Sequence, residues 1–267
     1  MKRILLPIDF SSQSDHYFAY AKSLAASFNA ELLILHVFGK PKLPVDINAK
    51  ILTQSDVVER LENFVNTIEP NGTDIKIRYL AEVGFASEVI LKSAISQEAD
   101  LIVMGTRGTS NIVTRYFGSV SMTVMNNSKY PVLLVPPNVQ FKGWNHLGCT
   151  IDFQYHDLIL LNTLFKWSEK FNSEITCLHV LENEDFNDVK IKLNLLQELF
   201  ADKRIEFEIK RGEVEKSIEL FEKEEDLSLL GMVHQSKSLI GHFLNSDITE
   251  AIAEDLKVPL LVYTFKD

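Results

Sequence analysis

Short apolar runs alternate with segments of helical periodicity along the first half of the chain. The runs are apolar almost throughout, which is typical of strands that are buried on both faces. We predict strands at Arg3–Asp9, Glu31–Phe38, Asp74–Leu80, Leu101–Met104 and Pro131–Val135. Between them, apolar residues recur every three or four positions, which predicts helices at Tyr17–Phe28, Ile51–Ile68, Phe85–Gln97 and Gly118–Ser128. The order βαβαβαβαβ predicts a five-stranded parallel sheet with helices on both faces and right-handed crossovers.

The second half of the chain repeats this pattern. The residues IDF at 8–10 recur at 151–153, and LHV at 35–37 recurs at 178–180, in both cases 143 positions later. Further along, the offset is 128, so that PVLLV at 131–135 matches PLLVY at 259–263. Ordered matches that need one change of length indicate a duplication. We therefore predict an α/β protein of two tandem Rossmann-like domains, residues 1–138 and 139–267, joined at Pro136-Pro137-Asn138.

Composition and charge narrow the range of partners and compartments. The formal net charge is −10. Residues 1–138 carry 13 basic and 13 acidic residues and have no net charge, whereas residues 139–267 carry 14 basic and 24 acidic residues. The acidic second half disfavours nucleic acid as a partner. No apolar run reaches the roughly 18 residues of a membrane span, and the two cysteines give no disulfide framework. A cytoplasmic protein that does not bind membranes is expected, with Cys149 and Cys177 as buried inert thiols or, alternatively, a redox pair.

A glycine-spaced loop carries the main chemical signal. After the strand at 101–104 come Gly105, Gly108 and then Gly118-Ser119, in the pattern G-x2-G-x9-G-[ST]. Glycines let backbone N–H groups approach an anion, and a helix beginning at Gly118 attracts phosphate through its free N–H groups and dipole. The hydroxyls of Ser119 and Ser121 can add hydrogen bonds, and Arg107 can neutralise phosphate charge. The pattern is neither a P-loop nor a dinucleotide-binding fingerprint, and the alternative is a plain connecting loop.

These residues make the sequence resemble the universal stress protein family in its tandem form. The resemblance is carried by Pro7 to Ser11, by LHV at 35–37, by the loop from Gly105 to Ser121, and by the strand at 131–135. It covers essentially the whole chain and is stronger in the first copy. It implies a Rossmann-like fold and, for the class with the glycine motif, binding of ATP.

The resemblance also implies a set of site residues. The adenine and ribose are expected near Pro7, Asp9 and Val37. The phosphates are expected on the loop and the helix that follows it, at Gly105, Arg107, Gly108, Gly118, Ser119, Val120 and Ser121. Asp9 is expected to accept ribose hydroxyls or to lie near a divalent ion such as Mg²⁺. Its alternative role is to cap the following helix.

The second copy departs from this motif. At the offset of 128, the three glycines are replaced by Val233, Ser236 and Ser246, and Ser119 by Asp247. An aspartate at this point repels phosphate. We therefore expect one nucleotide site per chain, in the first copy.

The resulting hypothesis is an adenine-nucleotide-binding stress-response or signalling module. The cofactor is ATP, or ADP or AMP, with or without Mg²⁺, and the protein partner is unknown. The alternatives are a slow ATPase or phosphoryl-transfer enzyme and a nucleotide-free interaction scaffold. No catalytic residues and no dedicated metal site are predicted. We expect the last strands of the two copies, Pro131–Val135 and Pro259–Tyr263, to pair as a pseudo-dimer within one chain. A homodimer of chains is a further expectation, through a surface that the sequence does not identify.

Overall fold

A computed structural model describes residues 1–39, 52–106, 118–182, 184–235 and 257–265. The chain divides into two compact units, Met1–Phe141 (unit 1) and Lys142–Asp267 (unit 2). Each unit contains a five-stranded parallel sheet with helices, which confirms the predicted fold class. Within the described ranges, no helix has the length and apolar character needed to cross a membrane.

Unit 1 places its first strand in the middle of its sheet. Its elements are β1 (Arg3–Pro7), α1 (Ser14–Phe28), β2 (Glu31–Phe38), α2 (Gln54–Ile68), β3 (Ile77–Val83), α3 (Ala86–Ser96), β4 (Leu101–Gly105), α4 (Ser119–Asn127) and β5 (Val132–Val135). The strand order is β3-β2-β1-β4-β5, and fully buried Leu5 of β1 pairs with Leu33 on one side and Ile102 on the other. The order reverses between β1 and β4, which is where ligands bind in open sheets of this type. Right-handed crossovers put α1 and α2 on one face and α3 and α4 on the other.

Unit 2 has the same topology. Its elements are β6 (His146–Thr150), α5 (Tyr155–Phe171), β7 (Glu174–Leu181), α6 (Phe186–Leu199), β8 (Ile205–Arg211), α7 (Val214–Glu224), β9 (Leu229–Gln235) and β10 (Leu260–Phe265). The strand order is β10-β9-β6-β7-β8. The bounds of β6 and β7 are those of β1 and β2 plus 143, and the bounds of β8 and α7 are those of β3 and α3 plus 128. The internal repeat of the sequence is therefore a repeat of the fold.

The repeat extends to individual backbone angles and hydrogen bonds. Phe10 and Phe153, which follow the first strand of each unit, adopt positive φ angles of 55° and 56°. The Nδ1 atom of His36 donates to the carbonyl of Ile8 at 2.7 Å, and that of His179 donates to the carbonyl of Ile151 at 2.9 Å. Both strand histidines thus tie the second strand to the chain that leaves the first.

Some element boundaries differ from those predicted. β1 ends at Pro7 rather than Asp9, because the chain turns at Phe10 with a left-handed φ. β3 runs from Ile77 to Val83, three residues later than predicted, and Ala81 is its one buried position. The apolar signal of this edge strand is therefore weak.

The two cysteines are neighbours in the sheet of unit 2. Cys149 of β6 and Cys177 of β7 are register partners, are both fully buried, and have their sulfur atoms 2.9 Å apart. Burial raises the pKa of the Cys177 thiol well above its usual value. A thiol that resists ionisation is a poor nucleophile, as expected of buried inert thiols.

Candidate functional site

A cavity of about 310 Å³ lies at the carboxyl ends of β1, β2 and β4 in unit 1. Its walls come from three strands and three helices. They are Pro7, Ile8, Asp9, Tyr17, Leu35, Val37, Ala86, Ile90, Met104, Gly105, Gly118, Ser119, Val120 and Ser121. The cavity straddles β1 at the switch in strand order, and its volume is typical of small-molecule sites.

Most residues predicted for the site lie on this cavity. The structure brings together eight of them: Pro7, Asp9, Val37, Gly105, Gly118, Ser119, Val120 and Ser121. Arg107 and Gly108 lie outside the described residues. The roles of all ten in binding a ligand stay predictions.

Sequence reasoning missed the apolar walls. Ile8 directly follows β1, Leu35 lies within β2, Ile90 comes from α3, and Met104 from β4. Their residue types are those of the core in general, so the sequence does not distinguish them from core residues. The available signal was the position of Ile8 and Met104 at the ends of buried strands.

The start of α4 supplies hydrogen-bond donors to the cavity. Gly118 is the N-cap residue and provides no side-chain cap. The first bond of the helix runs from the N–H of Met122 to the carbonyl of Gly118 at 3.0 Å. The N–H groups of Ser119, Val120 and Ser121 therefore have no acceptor within the helix. Together with the positive end of the helix dipole, such donors favour an anion.

The two described glycines of the motif have different local roles. Gly118 has a φ of −62°, which any residue can adopt, and an added Cβ would have Ser121 Oγ as its nearest neighbour, at 3.7 Å. Glycine at this position is therefore not required by the fold, and it adds no side chain at the start of α4. At Gly105, an added Cβ would lie 2.1 Å from the ring of Tyr17. Gly105 thus has a packing role besides the one predicted.

The polar side chains of the cavity are partly engaged within the protein. The Asp9 carboxylate is exposed, and its Oδ1 accepts the N–H of Ser11 at 2.9 Å and the hydroxyl of Ser14 at 3.3 Å. Asp9 thus stabilises the turn before α1, whose N-cap is Gln13. The Ser121 hydroxyl donates to the Gly105 carbonyl at 2.8 Å, so its proton is already used.

Unit 2 has two buried carboxylates, Asp152 and Asp157, at the place that corresponds to Asp9 and the start of α1 in unit 1. Asp152 corresponds to Asp9, and Asp157 stands where unit 1 has Ser14. Oδ2 of Asp157 accepts the N–H groups of Asp152 and Gln154, both at 2.9 Å. Burial, followed by the neighbouring Asp157 carboxylate, raises the pKa of Asp152 to about 6. Burial also raises the pKa of Asp157, against these two backbone hydrogen bonds.

Two other residues of unit 2 that correspond to cavity residues of unit 1 are also buried. Val180, the equivalent of Val37, is fully buried, and Val233 at the position of Gly105 is 1% exposed. β9 continues past Val233 to Gln235, whereas β4 ends at Gly105. Ser236, Ser246 and Asp247 lie outside the described residues.

Comparison with known proteins identifies the family. The sequence model of the universal stress protein family matches residues 1–136. This chain belongs to the universal stress protein family. A universal stress protein of Thermus aquaticus is 33% identical over 141 residues, which is 50% of this chain and 98% of that protein. A universal stress protein of Methanocaldococcus jannaschii is 27% identical over 152 residues, which is 50% of this chain and 94% of that protein.

A solved structure extends the similarity to the whole chain. The crystal structure of a universal stress protein from Archaeoglobus fulgidus matches with a TM-score of 0.76 and 24% identity, covering 98% of each chain. Because the identity is below 25%, this match supports the fold alone. It agrees with the tandem form of the universal stress protein fold that the sequence predicts.

Proposed function

We propose that unit 1 binds one adenine nucleotide, with ATP as the expected ligand. We also propose that the chain is a stress-response or signalling module. Its interaction with a protein partner would then depend on whether the nucleotide is bound. The observation that carries the proposal is the cavity at the switch point, which has N–H groups without an acceptor inside α4 on one side and apolar walls on the other. This combination suits a ligand with an anionic end and a flat apolar end.

In this proposal, the two ends of the ligand would lie on opposite sides of β1. On the β4 side, the N–H groups at the start of α4 would hold phosphate oxygens, and the predicted contacts of Arg107 and Gly108 belong to the same end. On the β2 side, Leu35, Val37 and Ile90 would surround the purine ring. Asp9 follows β1 between these sides, and as an exposed carboxylate it suits ribose hydroxyls.

A magnesium ion would fit the same arrangement. Mg²⁺ in nucleotide sites commonly uses one or two carboxylates together with phosphate oxygens and water. Asp9 is the carboxylate among the described residues that line the cavity. In this alternative, Asp9 would hold the ion in place of the ribose hydroxyls, and the ion would neutralise part of the phosphate charge.

The cavity favours binding over efficient turnover. Hydrolysis needs a group that positions or activates the attacking water. Among the described lining residues, Asp9 and Tyr17 are the titratable side chains, and Asp9 already accepts two hydrogen bonds from its own turn.

The proposal is tested on the full chain after removal of co-purified ligands. Mass spectrometry of the supernatant from heat-denatured protein should identify an adenine nucleotide. Calorimetric titration of the stripped protein with ATP, with and without Mg²⁺, should show saturable binding, and phosphate release should stay far below that of a dedicated ATPase. If ATP, ADP and AMP all fail to bind, the proposed function is wrong.

A further inference from the structure

Phe85 is exposed at a position where an aromatic ring is unfavourable. Its side chain is 78% exposed, although an apolar ring is stabilised by burial. It is also the N-cap residue of α3 and makes no side-chain cap bond. Ser, Thr, Asp or Asn would stabilise this helix end. Neither the core nor the helix accounts for a phenylalanine here.

The neighbourhood of Phe85 offers another explanation. The next residue, Ala86, lines the cavity, as does Ile90 one turn further along α3. α3 begins directly after β3, which pairs with β2. Phe85 therefore stands on the β2 side of β1, with the apolar walls.

Unit 2 provides an internal comparison. The residue at the equivalent position is Glu213, which is the N-cap of α7. The equivalent of Ala86 is Val214, which is 3% exposed, whereas Ala86 is half-buried. Ile90 and its equivalent Ile218 are both buried, so the two units differ at the first residue of the helix. The N-cap residue is polar in unit 2, where this first residue is buried, and aromatic in unit 1, where it is half-buried and lines the cavity.

We propose that Phe85 stacks on the base of the bound nucleotide at the mouth of the cavity. The inference rests on the proposed function and adds a positioning residue to it. A phenyl ring offers a flat face to the base without reading its hydrogen-bonding edge. Phe85 would thus cover the outer face of the base while Leu35, Val37 and Ile90 enclose the rest.

Affinity measurements on exposed-residue variants test this role. Phe85→Ala should weaken ATP binding about tenfold or more, because loss of a stacked aromatic costs that much in single-strand binding proteins. Phe85→Tyr keeps the ring and should bind ATP like the wild type. The matched control is Ile95→Ala, since Ile95 is 52% exposed at the opposite end of the same helix, away from Ala86 and the cavity. It should change the ATP affinity less than twofold, roughly the error of such a titration.

A fluorescent reporter gives a second readout. The chain has two tryptophans, Trp144 and Trp167, both in unit 2 and both buried. The fluorescence of Phe85→Trp should be quenched by ATP but not by inorganic triphosphate, and Ile95→Trp should respond to neither. If the wild type binds ATP while Phe85→Ala binds equally well and Phe85→Trp is not quenched, the stacking role is wrong and the proposed function stands. If the wild type binds none of ATP, ADP and AMP, both are wrong.

Discussion

The ring of Tyr17 occupies the space that a side chain on Gly105 would need. Tyr17 is 6% exposed, and a Cβ on Gly105 would lie 2.1 Å from its ring. A glycine at position 105 is therefore needed for α1 to pack against β4, independently of any ligand. Unit 2 has a different pair at the equivalent positions, Leu160 and Val233.

Gly105→Ala should destabilise unit 1. The methyl group overpacks the contact with Tyr17, and such overpacking typically costs about 1–3 kcal/mol. Urea denaturation followed by circular dichroism measures the loss. The matched control is Gly118→Ala, where the Cβ has room and only the preference of an N-cap for glycine over alanine is lost, which should cost about 0.5–1 kcal/mol. Tyr17→Leu, which copies unit 2, should restore part of the stability of Gly105→Ala. Equal stabilities for the two alanine variants would refute the packing role.

Gly118→Asp should abolish ATP binding and leave the fold intact. The backbone at 118 accepts any residue, and aspartate is a favourable N-cap, so α4 should be as stable as before or more so. The carboxylate would, however, stand where phosphate is expected, and like charges repel strongly at close range. Gly118→Asn has nearly the same shape without the charge and should bind ATP better than the aspartate variant. Circular dichroism checks the fold and calorimetry the affinity; unimpaired ATP binding by Gly118→Asp would show that α4 does not hold the phosphates.

The chain should bind one ATP and not two. Unit 2 has Val233 in place of Gly105, and its strand continues to Gln235. Its sequence also lacks the glycines at the two later positions and has Asp247 in place of Ser119. Calorimetric titration of the full chain should saturate near one equivalent. Saturation near two would mean that unit 2 binds ATP without the glycine motif.

The fold could be predicted because its strands are buried on both faces. The bounds of β2 agree with the prediction residue for residue, since six of the eight residues in Glu31–Phe38 are apolar. β3 was misplaced by three residues, because an edge strand that is mostly half-buried leaves a weaker pattern. The repeat added independent support, because an offset of 143 or 128 carries each strand onto its counterpart.

The site was predictable only where its chemistry uses distinctive residues. Gly105, Gly118 and Asp9 stand out after buried strands, and the structure brings them to one cavity. Tyr17 and Ile90 line the same cavity but are indistinguishable in sequence from core residues. The exchange of Ser14 for Asp157 could have been found by applying the offset of 143 to α1, yet its burial depends on packing that the sequence does not reveal.

Asp152 should make unit 2 less stable as the pH rises from about 4 to about 6. Its carboxyl has a pKa of about 6 in the folded chain, against an ordinary value of 3.8, so within this window the folded state binds more protons than the unfolded state. Stability therefore falls with rising pH, and the loss is complete above the folded pKa. Asp152→Asn removes the charge and should stabilise unit 2 at pH 7.5 by on the order of 1–2 kcal/mol, but not at pH 4. Tryptophan fluorescence during urea denaturation reports on unit 2 alone, because Trp144 and Trp167 both lie there, stacked with their ring centroids 4.6 Å apart. A difference between variant and wild type that is the same at both pH values would contradict this assignment.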